Sequence, residues 1–139
     1  MRTGAGLTTA FVPGCGYLVL QTAAPEAMTL TDVEANFIQN ITAAPHQFSA
    51  VGIGPGLGTH PQTAKALEAF ISNLKTPLVL DADALNILAQ QPRLLTALPN
   101  RTIITPHPKE FERLFGPCAN DMERLEKAVL EARSRQCVI

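Results

Sequence analysis

The chain has 139 residues, of which 46% are hydrophobic and 17% charged, and its formal net charge is −1. This length is that of one ordinary domain, and the composition is unlike that of a disordered chain. A net charge so close to zero argues against a broad electrostatic attraction to nucleic acid or to an anionic membrane, so we expect neither as a partner.

The cysteines give information on the cellular compartment. Cys15, Cys118 and Cys137 are widely spaced and form no CxxC pair, so they suggest neither a disulfide framework nor a zinc site. Free thiols of this kind are typical of a reducing cytosol. The sequence has no apolar run of the roughly 18 residues that a membrane-spanning helix needs. We expect a cytoplasmic protein.

The first half of the chain alternates short apolar runs with amphipathic stretches, which is typical of βα units around a parallel sheet. Residues 2–6 have the pattern of the end of a helix. The predicted strands cover residues 7–12, 26–30 and 48–53, and the predicted helices cover residues 15–23 and 33–41.

A clearer helix follows residue 59. Thr59 is its expected cap, and Pro61 suits its first turn, where a missing N–H costs nothing. Ala64, Leu67 and Leu74 recur at helical spacing and belong to one buried stripe.

The second half continues the alternation. Residues 137–139 resemble the beginning of a further strand. We therefore expect an α/β fold with a parallel sheet flanked by helices over residues 1–139, as part of a larger domain that is incomplete here. The predicted strands cover residues 77–80 and 102–104, and the predicted helices cover residues 84–90, 93–98, 109–115 and a long segment from Asn120 or Asp121 to about Arg135.

A glycine-rich segment, residues 52–58, stands between a predicted strand and a predicted helix. Ligands of open α/β sheets bind at the carboxyl ends of strands, and glycines there allow close approach of the backbone. The segment is not a dinucleotide fingerprint, because Thr59 occupies the position of the last glycine, and the chain has no Gly-Lys-Ser/Thr of a phosphate-binding loop. Gly54 and Gly56 are candidate ligand contacts; the alternative is a tight turn that needs positive φ.

Asp81 and Asp83 follow the next predicted strand. Such a pair can hold Mg²⁺, or can supply a nucleophile and an acid for phosphoryl transfer. The pattern is close to the haloacid-dehalogenase signature, but Leu85 stands where Thr or Val belongs. The alternative is structural, with Asp83 capping the helix and Asp81 ending the strand. We adopt capping for Asp83 and keep Asp81 as a candidate site residue.

His107 lies between Pro106 and Pro108, just after a predicted strand. The prolines restrict the backbone, so little entropy is lost when such a side chain binds a phosphate, a ribose or a carboxamide. The alternative is a surface histidine at a helix start, with Glu110 favouring the helix dipole. The sequence shows no evident acid partner for His107.

Taken together, these segments resemble one family. With Pro25-Glu26-Ala27-Met28 they are similar, in order and in spacing, to consecutive blocks of the NAD(P)H-hydrate dehydratases. The blocks are RTGAGLTT at residues 2–9, VGIGPGLGT at 51–59, LDADALN at 80–86 and TPHPKEF at 105–111.

The resemblance implies a ribokinase-like fold and a repair reaction on the hydrated, damaged form of NADH or NADPH. ADP or ATP, accompanied by Mg²⁺, would phosphorylate the added hydroxyl group, and phosphate would then leave to restore the double bond. By resemblance, Gly54 and Gly56 would lie against the hydrate and His107 would contact it.

The resemblance also implies parts that are absent from residues 1–139. These are a Gly-rich strand and turn on the N-terminal side and, on the C-terminal side, a Lys-Gly segment and a Gly-Thr-Gly-Asp loop whose Asp is the catalytic base. We therefore assign no catalytic residue and expect no turnover from this chain alone. The choice between ADP and ATP, the choice between the two hydrates, and a homo-oligomeric state stay open.

Two alternatives remain at this point. The first is a Mg²⁺-dependent haloacid-dehalogenase-type phosphatase that acts through Asp81 and Asp83. The second is a non-catalytic nucleotide-binding or assembly module, which would bind a ligand without turnover.

Overall fold

The computed structural model describes residue 4 and residues 6–139. Within them the strands are short and the helices carry most of the regular structure. The elements are β1 (Thr9–Val12), α1 (Gly16–Ala23), β2 (Met28–Thr31), β3 (Gly52–Ile53), α2 (Pro61–Ser72), β4 (Val79–Leu80), α3 (Ala82–Gln90), α4 (Arg93–Ala97), β5 (Ile103–Ile104), α5 (Pro108–Phe115) and α6 (Asp121–Arg135), with a 3₁₀ turn at Pro45–Gln47.

The described strands form two parallel sheets. β1 pairs with β2, and β4 lies between β3 and β5 in the other sheet. Val138 adds a parallel bridge to Ile103, so the predicted strand start at residues 137–139 does join this sheet. The predicted α/β fold, with a parallel sheet flanked by helices, is confirmed.

The core packs against one face of the β3–β4–β5 sheet. Leu80 and Ile104 are buried, whereas the preceding residues Val79 and Ile103 are 36% and 39% exposed, as the alternation along a strand requires. The predicted stripe of α2 is buried at Ala64 and Leu67. The buried cluster comprises Ala64, Leu67, Ile71, Leu78, Leu80, Ala84, Leu85, Ile87, Leu88, Leu94, Leu95 and Ile104.

The helix predicted over residues 33–41 is wrong. The buried carboxylate of Asp32 accepts the backbone N–H groups of Gln39 (2.5 Å) and Asn40 (2.8 Å), and the Glu34 carbonyl accepts an N–H from the turn after β1. These bonds satisfy the backbone of the segment in a non-helical path, which is how Asp side chains compete with helix formation.

Other differences between the predicted and the observed elements are smaller. His60, not Thr59, caps α2, because its Nδ1 accepts the N–H of Gln62 at 3.3 Å. The strand predicted over residues 48–53 is reduced to β3, and the other strands are also shorter than predicted. The helix end predicted at residues 2–6 falls largely on Arg2, Thr3 and Ala5, which lie outside the described residues. No helix within residue 4 and residues 6–139 is long and apolar enough to span a membrane.

Candidate functional site

The candidate site lies at the carboxyl edge of the β3–β4–β5 sheet. β3 leads into residues 54–58, called here the glycine loop; β4 leads into Asp81, and β5 leads toward His107. The N–H of Asp81 donates to the carbonyl of Ile53 at 3.1 Å, which joins two of these strand ends. Because the strands are parallel, the glycine loop, Asp81 and His107 share one edge of the sheet, as expected for features that each follow a predicted strand.

The glycines of this loop have different surroundings. A Cβ at Gly54 would lie 1.7 Å from the carbonyl oxygen of Asp81, and its φ is 139°, so only glycine fits. Gly56 has a φ of 70°, and a Cβ there would meet no heavy atom of the described residues within 4 Å. Gly54 therefore anchors the loop against the β4–α3 turn, whereas Gly56 borders open space.

A tight turn connects these glycines. The N–H of Leu57 donates to the carbonyl of Gly54 at 3.0 Å, which closes a four-residue turn with Pro55 and Gly56 at its centre. Proline followed by a glycine with positive φ is the signature of a type II turn. The tight-turn interpretation is correct, and it leaves Gly56 at the tip of the loop, where a ligand could approach the backbone.

Asp81 has the capping role that the sequence interpretation gave to Asp83. It is the N-cap of α3, and its Oδ1 accepts the N–H of Ala82 at 2.9 Å. Ala82 has a φ of 47°, a left-handed conformation that is uncommon for a residue with a side chain. Such backbone strain is concentrated at functional edges.

Asp83 is a polar link between elements instead of a cap. Its Oδ2 accepts the N–H of Gly58 at 2.9 Å, and its Oδ1 accepts Nδ2 of Asn86 at 3.4 Å. Oδ1 of Asn86 in turn accepts Nη1 of Arg113 at 2.7 Å. The prediction that Asp83 caps the helix is wrong, because Asp81, at the last non-helical position, is better placed to accept the first N–H.

His107 is the N-cap of α5. Its Nδ1 accepts the N–H of Lys109 at 3.2 Å, while the His107 N–H donates to Oε2 of Glu110 at 3.0 Å, a reciprocal capping box. Nε2 of His107 lies 3.3 Å from Oε1 of Glu110, whose side chain is 7% exposed, against 57% for His107. Glu110 is thus the acid partner that was not evident in the sequence.

This arrangement determines which nitrogen of His107 can donate. Because Nδ1 accepts a backbone N–H, the proton of the neutral imidazole is on Nε2, facing Glu110. The 3.3 Å separation is longer than a usual N–H···O bond. The mostly exposed ring can therefore share its Nε2 proton with a ligand oxygen.

The carboxylates of the edge accept hydrogen bonds from neighbouring N–H groups. No group of three or more His, Cys, Asp or Glu side chains in the described part of the chain is placed to hold a metal ion. Both oxygens of Asp83 accept N–H groups, and so does Oδ1 of Asp81. Asp81 and Asp83 are thus engaged in hydrogen bonds that position the polypeptide at this edge.

Asn86 and Arg113 were missed by the sequence interpretation. Asn86 belongs to the LDADALN block, but nothing in that block shows that its amide bridges two helices. Arg113 lies on α5, and its contact is with a residue 27 positions earlier. Pairs this far apart are brought together by the packing of α3 against α5.

The fold defines the class of the protein: an α/β protein with a parallel sheet, whose candidate ligand edge is formed by the glycine loop, Asp81 and His107 at the carboxyl ends of the strands. A family model described as NAD(P)H-hydrate dehydratase matches residues 1–139, which is the whole chain. The chain belongs to this family, and the resemblance noted in the sequence is confirmed.

Curated relatives agree with this assignment. A bifunctional NAD(P)H-hydrate repair enzyme of Moorella thermoacetica is 35% identical over 148 residues, which cover 100% of this chain and 28% of that protein. An ADP-dependent (S)-NAD(P)H-hydrate dehydratase of Lactiplantibacillus plantarum is 35% identical over 121 residues, which cover 86% of this chain and 42% of that protein. The chain thus spans less than half the length of either relative.

A solved structure is similar in fold. The crystal structure of a hypothetical protein from Streptococcus mutans matches with a TM-score of 0.70 and 23% identity, covering 93% of this chain and 47% of that one. The family assignment overturns the haloacid-dehalogenase-type alternative, and the engagement of Asp81 and Asp83 in backbone contacts agrees with this outcome.

Proposed function

We propose that this chain binds NAD(P)H hydrate at the carboxyl edge of its β3–β4–β5 sheet, as the hydrate-binding part of an NAD(P)H-hydrate dehydratase. The observation that carries the proposal is the family match over residues 1–139, within which the glycine loop, Asp81 and His107 share one edge. The complete protein uses ADP or ATP, with Mg²⁺ on the nucleotide phosphates, to restore NAD(P)H; it acts in the cytoplasm.

Each edge residue has a defined part in this proposal. Gly56, at the open tip of the turn, lets the hydrate approach the backbone, and Gly54 anchors the base of the loop. His107 donates its Nε2 proton to an oxygen of the hydrate while Glu110 orients the ring. Oδ2 of Asp81 accepts no hydrogen bond from the described residues and remains as an acceptor for a hydroxyl group.

Binding without turnover is the expected behaviour of residues 1–139 alone. Phosphoryl transfer needs donors around the moving phosphate and a base beside the attacking hydroxyl. By resemblance, the base belongs to a Gly-Thr-Gly-Asp segment, which does not occur in residues 1–139. Loss of a single preorganised donor already lowers a rate roughly a hundredfold to a thousandfold.

The turnover claim is tested by incubating the 139-residue chain with hydrated NADH, Mg²⁺ and either ADP or ATP, and by following the absorbance of NADH. We expect no nucleotide-dependent recovery. Recovery at the rate of a full-length relative would show that the base lies within these residues or comes from a second copy, and would support a homo-oligomer.

The binding role of His107 is tested with His107→Asn. Asparagine is a good N-cap, so α5 keeps its cap while the imidazole is lost. Loss of a polar contact of about 1–3 kcal/mol weakens hydrate binding roughly tenfold to a hundredfold. Calorimetric titration with hydrated NADH measures this change, and thermal unfolding is expected to stay near that of the unmodified chain.

His60 offers a matched control, because it also caps a helix through Nδ1. His60→Asn is expected to leave hydrate affinity unchanged and to lower the melting temperature only slightly, through loss of the stacking of the His60 ring on Phe37 (3.9 Å between ring centroids). If His107→Asn binds the hydrate as tightly as the unmodified chain, while His107→Ala lowers only the melting temperature, then His107 has a capping role alone. Binding of ADP or ATP without the hydrate would instead favour the nucleotide-binding module.

A further inference from the structure

A chain of side-chain hydrogen bonds joins the glycine loop to two helices. Gly58 donates its N–H to Oδ2 of Asp83 (2.9 Å), Asn86 donates Nδ2 to Oδ1 of Asp83 (3.4 Å), and Arg113 donates Nη1 to Oδ1 of Asn86 (2.7 Å). The contacts from Gly58 to Asp83 and from Arg113 to Asn86 span 25 and 27 residues, so they are tertiary contacts. Asp83, Asn86 and Arg113 are called here the polar relay.

The glycine loop needs such a restraint. Gly54, Gly56 and Gly58 all have positive φ, and glycine loses more backbone entropy on ordering than any other residue. The N-terminal end of the loop is fixed by the close approach of Gly54 to Asp81. At its C-terminal end, a Cβ at Gly58 would meet no described atom within 4 Å, so packing does not hold this position.

The hydrogen bond to Asp83 supplies the missing restraint. Asp83 is half-buried in the first turn of α3, and each of its carboxylate oxygens has one donor. Hydrogen bonds to charged acceptors are stronger than those between neutral groups. The hydrogen bond to Asp83 therefore restrains the Gly58 N–H next to the first turn of α3. Asn86, itself bonded to Arg113, orients the Asp83 carboxylate toward that N–H.

We propose that Asp83 is a positioning residue that acts through Gly58: the polar relay holds the glycine loop in the shape that receives the hydrate. The proposal rests on the proposed function for the identity of the ligand, but the restraint on the loop is testable without any ligand. Asp83 is not assigned a contact with the hydrate, and its effect on affinity comes from ordering the loop before binding.

The direction of the hydrogen bonds provides a sharp test. In Asp83→Asn the new Nδ2 would face Nδ2 of Asn86, two donors against each other. In Asn86→Asp two carboxylates would face each other. The double exchange Asp83→Asn with Asn86→Asp restores every pair. In the double variant, the amide oxygen at position 83 accepts the N–H of Gly58, and the amide nitrogen at position 83 donates to the carboxylate introduced at position 86. That carboxylate accepts the hydrogen bond from Arg113. If Asp83 acted only through helix propensity or through the charge of the first helical turn, the double exchange would not restore its effect.

Two measurements distinguish the restraint on the glycine loop from the binding of the hydrate. Hydrogen exchange of the Gly58 amide, measured by NMR on the 139-residue chain, reports the restraint on the loop without ligand. Calorimetric titration with hydrated NADH reports affinity. Asp121→Ala is the matched control, since Asp121 is also an acidic residue in the first turn of a helix but does not contact the glycine loop.

Loss of the Asp83 carboxylate should affect both readouts. Asp83→Ala is expected to speed exchange of the Gly58 amide and to weaken hydrate binding about tenfold, the loss expected for a charge-assisted hydrogen bond. Either single exchange variant weakens binding by several-fold, and the double exchange recovers most of the affinity and of the Gly58 protection. Asp121→Ala changes neither quantity.

Different results would contradict the relay, its role in binding and the proposed function. Unchanged Gly58 exchange in Asp83→Ala, or a double exchange no better than the worse single variant, would overturn the relay. Faster Gly58 exchange with unchanged affinity would show that loop order does not serve binding. If the unmodified chain does not bind hydrated NADH at all, the proposed function fails, whereas the exchange data still decide whether the relay restrains the loop. If Asp83→Ala does not fold, the single and double exchange variants decide the same question.

Discussion

The N-terminal region, residues 7–44, and the central region, residues 51–139, are stabilised in different ways. All members of the buried apolar cluster belong to the central region. In the N-terminal region α1 buries no residue, and Leu18 and Val19 are 74% and 65% exposed. The buried carboxylate of Asp32 organises the segment after β2 there. Apolar packing thus positions the candidate ligand edge, while the Asp32 carboxylate organises the segment after β2, where the side chain of Ile38 is also buried.

The largest loss of stability is expected at Gly54, which anchors the glycine loop against the β4–α3 turn. Gly54→Ala brings a Cβ to 1.7 Å from the Asp81 carbonyl oxygen, so the β4–α3 turn or the glycine loop must move. We expect a loss of about 4 kcal/mol or more in the free energy of unfolding, the range of severe backbone conflicts. Urea unfolding measures this loss.

Gly56→Ala is the matched control for that variant. Its Cβ meets no described atom within 4 Å, so only the left-handed conformation is penalised, by about 1–2 kcal/mol. Hydrate affinity should nevertheless fall, because the methyl group occupies the open tip of the loop. Equal destabilisation by the two variants would contradict the distinction between an anchoring glycine and an open one.

A smaller loss is expected from the core itself. Leu67 is fully buried in the central region, so Leu67→Ala should lower the free energy of unfolding by about 2–5 kcal/mol. Leu18→Ala, on the exposed face of α1, should change it by less than about 0.5 kcal/mol. Chemical denaturation of both variants measures the contrast; similar losses would mean that the N-terminal region has an apolar core of its own.

The stabilising effect of Asp32 depends on pH. Burial alone raises the pKa of Asp32, but the backbone N–H groups of Asn40, Gln39, Glu34 and Val33 outweigh it and hold the pKa below its ordinary value of 3.8. A carboxyl group with a lowered folded pKa stabilises the protein above its unfolded pKa, and this contribution is lost as the pH falls through the folded pKa.

Asp32→Asn should therefore be less stable than the unmodified chain at pH 7, by about 1–3 kcal/mol, since backbone donors lose a charged acceptor. The difference should narrow as the pH falls below 3.8, the ordinary value. Unfolding experiments at pH 7 and in acid measure it, with amide exchange at Gln39 and Asn40 as the local readout. A pH-independent difference would show that the charge of Asp32 is not the stabilising feature.

The elements of the central region could be predicted from sequence because apolar pattern and turn residues agree there. The stripe of α2, the end of α5 at residue 115 and the start of α6 at Asn120 or Asp121 all follow local rules, and the structure confirms them, with Asn120 as the cap of α6. The shared edge of the glycine loop, Asp81 and His107 also follows, since parallel strands place their carboxyl ends together.

Two of the failures, at residues 33–41 and at Asp83, share one physical cause: a carboxylate that accepts backbone N–H groups several or many residues away. A helical pattern over residues 33–41 could not reveal that Asp32 takes up the N–H groups of Gln39 and Asn40. The cap of α3 was assigned to Asp83 instead of Asp81 because the side chain that accepts the first helical N–H depends on the turn, and the backbone partner of Asp83 is 25 residues away.

The central claim is that the ligand edge of the central region binds NAD(P)H hydrate. NMR titration of the isotope-labelled 139-residue chain with hydrated NADH tests it most directly. The account predicts saturable amide shifts at Gly56, Gly58, Asp81 and His107, and unchanged amides at Gln39 and Asn40, which Asp32 holds in the N-terminal region. Saturable shifts confined to the N-terminal region, or no shifts at millimolar hydrate, would contradict it.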